Sequence, residues 1–118
     1  MAANQYPFEA TVRFDGNKAF IDMAGDIDGF AEDAINAAYS DAEAENPQVV
    51  MLNFSNIHYI NSTGIALIVG LLARARGKHT NLVTYGLSDH YVEIFTITRL
   101  SDFMTIASDE ASALAQIS

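Results

Sequence analysis

Three groups of side chains in this sequence have the types and spacing to do chemistry. The first is the hydroxyl pair Ser62 and Thr63 inside Asn61-Ser62-Thr63-Gly64. The second is the carboxylate pair Asp26 and Asp28, two residues apart in Gly25-Asp26-Ile27-Asp28-Gly29. The third is the histidines His58, His79 and His90. The histidines are scattered, with neither a His-x-x-x-His spacing nor a His-plus-carboxylate spacing, so they define no zinc site. The two aspartates could approach a hard cation, but one such pair defines no metal site. Ser62 lies in no Gly-x-Ser-x-Gly elbow and no histidine can be assigned as its base, which removes the basis for a hydrolase. No glycine-rich loop ending in Lys-Ser/Thr is present to cradle a nucleotide's phosphates. An enzyme is therefore the minority reading of these residues.

Ser62 supports two readings. Asn, Ser and Thr cap helix N-termini because their side-chain oxygens accept hydrogen bonds from unpaired backbone N–H groups, a contribution of about 1 kcal/mol. Alternatively Ser62 accepts a phosphoryl group. A helix N-terminus would accommodate the resulting charge, about −1.5 to −2, through its N–H donors and dipole. Asp26 and Asp28 carry a similar pair of readings, as caps of a following helix or as a docking surface. The spacing alone does not decide either pair.

The elements that must position these groups follow from periodicity. Val49 to Phe54 is a β-type run, followed by a connector with apolar residues at Ile57, Tyr59 and Ile60. After Gly64, the stretch Ile65 to Ala73 carries no charge, too short to cross a bilayer, and Arg74, Arg76 and Lys78 close it as cations suited to a helix C-terminus. The centre thus reads as strand, tight turn, then a largely buried helix, with Leu67, Val69 and Leu71 expected in the core. Upstream, Phe8 to Phe14 alternates as a half-buried strand, Asp15-Gly16-Asn17 forms a hairpin turn, and Lys18 to Ala24 returns as a second strand that Gly25 to Gly29 breaks. Phe30 to Glu45 reads as an amphipathic helix with Phe30, Ala34, Ile35, Ala38 and Ala42 inward, ended by Asn46-Pro47. Downstream come a strand over 81–85, a helix over 87–98 with Ser88 as cap, a strand over 103–107 and a C-terminal helix from Ser108. Met1 to Tyr6 is a loose end.

The order ββαβαβαβα predicts an α/β fold: one domain over residues 1–118, core about 8–115, with a mixed, mostly parallel sheet covered mainly on one face by about four helices. An N-terminal β-hairpin adds an antiparallel edge. At 118 residues, half of them apolar, one domain buries roughly two-thirds of its unfolded surface. There is no cysteine, hence no disulfide framework or thiolate metal site. The net charge of −9 argues against a phosphate-backbone partner and favours one with a positive surface. Residues 1–61 hold ten acidic and two basic residues, whereas 62–118 hold five and four, so the acidity belongs to the first half. Neither a leader nor a membrane-spanning run is evident, and a cytoplasmic protein is expected.

The stretch Asn53-Phe54-Ser55 through Asn61-Ser62-Thr63-Gly64-Ile65-Ala66 resembles the signature of STAS domains, the anti-sigma factor antagonists and their relatives. Their pattern runs Asp-Leu-Ser, a short spacer, then Asp-Ser-Ser/Thr-Gly-Leu-Gly. Gly25-Asp26-Ile27-Asp28 is similar to the family's Gly-Glu-Leu/Ile-Asp, and Leu87-Ser88, Val92, Phe95 and Thr98-Arg99-Leu100 are similar to a late-helix pattern ending in Gly-Leu. The resemblance implies that a serine-kinase anti-sigma factor phosphorylates Ser62, with Thr63 the lesser candidate. It implies that the unphosphorylated domain binds that kinase, freeing a sigma factor, and that a PP2C-type phosphatase removes the mark. Partner contacts would then fall on Asp26, Ile27, Asp28, Asn61, Ser62, Thr63, Gly64 and Ile65, and the kinase would supply ATP and magnesium, so that the chain is a binding protein, not an enzyme, with no cofactor of its own. A STAS module that binds without being switched, as a scaffold or a small-ligand or nucleotide sensor, is the alternative. Asn61 and Asn53 stand where the pattern has aspartates, keeping shape but losing charge. Arg99 stands where it has glycine in a helix-ending turn, which implies that this turn differs locally.

Overall fold

The computed structural model describes residues 6–117, and the expectation for Met1 to Gln5 lies outside them. The chain runs β1 (Glu9–Asp15), β2 (Lys18–Ile27), a 3-10 turn (Gly29–Ala31), α1 (Glu32–Glu43), β3 (Val49–Ile60), α2 (Ser62–Gly77) and β4 (Asn81–Tyr85). It continues through α3 (Asp89–Ile97), a second 3-10 turn (Leu100–Asp102), β5 (Thr105–Ala107) and α4 (Glu110–Ile117). The five strands form one sheet in the order β1-β2-β3-β4-β5. β1 pairs antiparallel with β2 through the hairpin closed at Asp15 and Lys18, and all other pairs are parallel. The fold is the expected mixed α/β sheet.

Both faces of the sheet are covered, unequally. Ile21 and Met23 of β2 and Val50, Leu52 and Phe54 of β3 join the larger core, which α1, α2 and α3 close with residues such as Ile35, Ile68, Leu71 and Phe95. The alternate positions Phe20, Met51, Val83 and Tyr85 face the other way, under α4, where Ala113 is fully buried. Central strands buried on both faces lose the simple in-out alternation, which is why β3 reads as a continuous apolar run.

Several boundaries and faces differ from expectation. β2 runs on through Gly25 to Ile27, because register shifts at Asp22/Ala24 and Gly25/Asp26 absorb the irregularity instead of ending the strand. β3 likewise includes the expected connector and ends only at Ile60. The inward stripe of α1 is Ala31, Ile35, Ala38, Tyr39 and Ala42, spaced for one helix face, while Phe30 is 70% exposed and Ala34 faces solvent. The 3-10 turn before α1 sets that register and leaves Phe30 outside the helix. α2 is amphipathic in position, not in composition: Gly64, Ile68, Leu71, Leu72 and Ala75 are buried, whereas Val69 is 44% exposed and Leu67 only partly covered. Tyr6 is not loose, since its carbonyl accepts from the Asp26 N–H at 2.8 Å and its ring stacks on His58 at 4.0 Å. The turn after α3 keeps the backbone shape that suits glycine, with Arg99 itself at φ 69°.

α4 is held by a polar cluster on the second face. Arg13 donates to Asp22 (2.7 Å) and Glu110 (2.6 Å), its guanidinium lies 4.2 Å over the Phe20 ring, and the Tyr85 hydroxyl donates to Glu110 at 2.9 Å. The Arg13 hydrogen bonds hold both carboxyls below their usual range, with Asn53 assisting at Asp22 and Tyr85 at Glu110. A carboxyl whose folded pKa is depressed contributes stability that is fully present above its unfolded value and is lost as pH falls through the folded one. Stability should therefore decline below about pH 4, the usual carboxyl range. Arg13→Ala should flatten that decline and cost at most about 1 kcal/mol per exposed ion pair at neutral pH, read from urea midpoints across pH.

A non-glycine residue in the left-handed region costs about 1–2 kcal/mol. Arg99→Gly, losing only an exposed pair with Asp102, should raise the urea midpoint by the equivalent of about 0.5–1 kcal/mol at unchanged m value.

Candidate functional site

The site forms where the C-terminal end of β2 meets the first turn of α2. Ile27 pairs with Ile60 in the parallel ladder, and the Asn61 N–H donates to the Ile27 carbonyl at 3.2 Å. An added Cβ on Gly64 would overlap that same carbonyl oxygen and press on the Ile60 side chain at 2.9 Å. Only a residue without a side chain lets the helix start this close to the strand. The 3-10 turn sits alongside, with the position of a Gly29 Cβ 3.8 Å from Thr63 Cγ2. The eight residues expected to contact a partner, 26–28 and 61–65, are thus brought together.

Their exposure differs. Ser62 and Thr63 are exposed, Asn61 and Ile65 half-buried, Gly64 buried. Ile27 is fully buried, so its side chain belongs to the core. Asp26 and Asp28 are each 7% exposed. Asp28 caps the 3-10 turn, its Oδ1 accepting from the Phe30 N–H at 2.9 Å. Among the described residues Asp26 caps nothing, and its buried Oδ1 has no hydrogen-bond partner.

The cap of α2 is Asn61, not Ser62. Asn61 is extended (φ −91°, ψ −176°) and its Oδ1 accepts from the Gly64 N–H at 2.8 Å. Ser62 is the first helical residue, and its hydroxyl takes part in no hydrogen bond among the described residues. That removes the cap as the reason for a serine at this position. No acidic residue occupies the first turn, so the N–H groups of Ser62 and Thr63 keep their positive end of the helix dipole uncompensated.

Three contributors carry no motif. The Tyr91 hydroxyl, from α3, receives the Ile60 N–H at 2.8 Å and donates back to the Ile60 carbonyl at 3.4 Å, fixing the end of β3 one residue before the cap. Its signal in the sequence is slight: a tyrosine in an apolar stripe, whose buried hydroxyl must find a partner. Phe30 and Tyr59, at 70% and 53% exposure, put aromatic surface beside the site. Tyr59 pairs with Asp26 in the ladder and Phe30 is bonded to Asp28. An exposed aromatic looks like a core residue in a periodic pattern, so neither was separable from the core beforehand. Asn53 is explained by what aspartate lacks: its Nδ2 donates to Asp22 at 2.8 Å while its Oδ1 accepts from the Ser55 N–H at 3.0 Å.

The STAS domain pattern matches residues 9–113, and the chain belongs to the STAS domain family. It is 31% identical over 88 residues to the anti-sigma-B factor antagonist of Listeria monocytogenes, covering 75% of this chain and 77% of that protein. The protein of the same name from Staphylococcus epidermidis is 28% identical over 86 residues, covering 73% and 80%. In fold, the chain is similar to the crystal structure of an anti-sigma factor antagonist from Mycobacterium paratuberculosis, with TM-score 0.81, 16% identity and 94% of each chain covered. It is also similar to the Bacillus cell fate determinant SpoIIAA in its phosphorylated form, with TM-score 0.70, 19% identity, and 92% and 99% covered.

Asn61→Ala removes the acceptor for the Gly64 N–H and should cost about 1 kcal/mol of stability. Tyr91→Phe strands the buried Ile60 N–H and should cost about 1–3 kcal/mol. Both are read from denaturant midpoints, and a Tyr91→Phe variant as stable as wild type would remove Tyr91 from the architecture of the site.

Proposed function

We propose that this protein is an anti-sigma factor antagonist that switches partners through phosphorylation of Ser62. In the unphosphorylated state it binds a serine-kinase anti-sigma factor, and the sigma factor held by that kinase is released. The kinase transfers the γ-phosphoryl of ATP to Ser62 Oγ. The O–P bond forms as the bond to the ADP leaving group breaks, the hydroxyl proton goes to a base on the kinase, and the complex then separates. A PP2C-type phosphatase restores the hydroxyl by hydrolysis. ATP and magnesium belong to the kinase, so the chain acts as a cytoplasmic binding protein and not as an enzyme. No described helix is long and apolar enough to cross a membrane.

The observation that carries this reading is an exposed serine hydroxyl, unbonded among the described residues and released from capping by Asn61, at the first position of α2. The names of the Listeria and Staphylococcus relatives and the phosphorylated state of SpoIIAA support the same reading. The partner-facing surface comprises Ser62, Thr63, the edge of Ile65 and the aromatic pair Phe30 and Tyr59. Asp26, Asp28, Asn61, Gly64 and Ile27 shape it from beneath. The added charge acts at this surface. A dianion closed into an interface without a partner costs several kcal/mol, enough to break a docked complex.

Incubation with a serine-kinase anti-sigma factor and ATP should add one phosphate by intact mass, retained in Thr63→Ala and absent in Ser62→Ala. Ser62→Asp should weaken kinase binding at least tenfold, about 1.4 kcal/mol, in calorimetry. Binding of the kinase with no mass addition would assign the chain instead to the non-switched STAS modules, as a scaffold or a small-ligand or nucleotide sensor.

A further inference from the structure

The solvent-facing side of α2 borders a trough of about 520 Å³. Val69, Ala73 and Arg76, spaced to share one helix face, form one wall, and Arg99, Leu100 and Phe103 form the other. Val69 and Phe103 remain 44% and 53% exposed, so a continuous apolar surface is left in water. The trough has no carboxylate in its walls, although the chain carries 15 acidic residues against six basic ones. Two of those six cations stand on its rim. The Arg76 guanidinium lies 4.9 Å over the Phe103 ring and has no carboxylate partner among the described residues. Arg99 is held by an exposed 2.6 Å pair with Asp102 and sits at φ 69°, a backbone conformation that disfavours any side chain there.

We propose that this trough is a docking site for an acidic amphipathic helix of a partner protein. Apolar side chains at i, i+4 and i+7 of that helix fill the space between Val69, Ala73 and Phe103, and flanking carboxylates pair with Arg76 and exchange with Asp102 on Arg99. The chemistry follows from the walls. The floor is apolar, the rim carries Arg76 without a carboxylate partner and Arg99 in an exposed, exchangeable pair with Asp102, in a chain of net charge −9, and the length from Val69 to Arg76 is two turns, the repeat of helix-in-groove recognition. A second copy of this chain fits poorly. Its α1 and α4 expose no large apolar residue, its α2 carries no carboxylate, and its α3 exposes a single one, Ile97, with Glu93 and His90 four and seven residues before it, so none offers a three-residue apolar stripe flanked by acids. The trough begins seven residues along α2 from Ser62 and does not depend on phosphorylation there.

The test is a titration of isotope-labelled protein with a helical peptide of about fifteen residues, bearing leucines at i, i+4 and i+7 flanked by glutamates, followed by amide chemical shifts. The expected result is saturable change confined to residues 69–76 and 98–103, weakened at least fivefold in Arg76→Gln/Arg99→Gly and in Phe103→Ala. Arg99→Gly relieves a backbone conformation, so the double variant retains its fold, which its unperturbed remaining amides verify. A peptide with lysines in place of the glutamates should bind at least fivefold more weakly. The proposal is overturned by no shift change, by changes elsewhere on the surface, or by equal binding of the two peptides. It is also overturned if the same amides shift with protein concentration alone and sedimentation shows a dimer, which would make the occupant a second copy.

Discussion

One close approach governs the candidate site: the first turn of α2 against the end of β2. The Ile27 carbonyl takes a hydrogen bond from the Asn61 N–H and lies where any Cβ on residue 64 would have to go. This contact fixes the height of α2 over the sheet. Asn61 therefore arrives extended at the end of β3, its side chain turns back to the Gly64 N–H, and the next residue is left facing outward at the start of the helix. Tyr91 closes the arrangement from α3 by occupying both backbone groups of Ile60. Four elements thus converge to position a serine that none of them uses structurally. That division of labour leaves the cap to Asn61 and the Ser62 hydroxyl exposed.

The two faces of the sheet are secured by different physics. The larger face relies on apolar area, with Ile35, Ile68, Leu71 and Phe95 at full burial. Full burial of such side chains contributes about 1.5–3 kcal/mol each before entropy is counted. The second face is small, and α4 brings only eight residues to it. There the Arg13 cluster, joined by Asp22, Glu110, Tyr85 and Asn53, fixes orientation where apolar area is short. Exposed ion pairs contribute little free energy, so this cluster sets where α4 lies more than how strongly it is held.

The strand-turn-helix centre, the hairpin and the parallel order are legible in the sequence, because alternation, turn residues and apolar runs each have one structural solution there. The meeting of residues 26–28 with 61–65 was legible through the family resemblance. What stayed hidden has common physical causes. α2 is apolar on every face, so periodicity could not show that Val69 points to water and Ile68 to the core. Phe30 fits a helical stripe, and only the Asp28-capped 3-10 turn moves it outside. Asn61 and Ser62 are both good caps by type, and the choice between them is made by the Ile27 contact, a long-range constraint. The turn at Arg99 departs from expectation because a backbone shape can be enforced by its neighbours against the preference of its residue.

The polarity of the site has a consequence for how charge at Ser62 would act. Within the free domain a phosphoryl group there would meet uncompensated N–H donors of the first helical turn, a favourable contribution of about 0.3–1 kcal/mol at an exposed position. Against this stand Asp26 and Asp28, largely buried on either side of Ile27 at the end of β2, with Asp26 Oδ1 unpartnered among the described residues. In solvent, both effects are damped by water and salt, and they largely offset one another, so the fold has little reason to change. Closing a partner over the same spot removes that damping. An unpaired dianion would then sit in low dielectric, where it costs several kcal/mol. The same group would thus be nearly silent in the free domain and costly in a complex. That asymmetry requires only that the hydroxyl be exposed at the start of a helix, a position set by the approach of Gly64 to Ile27.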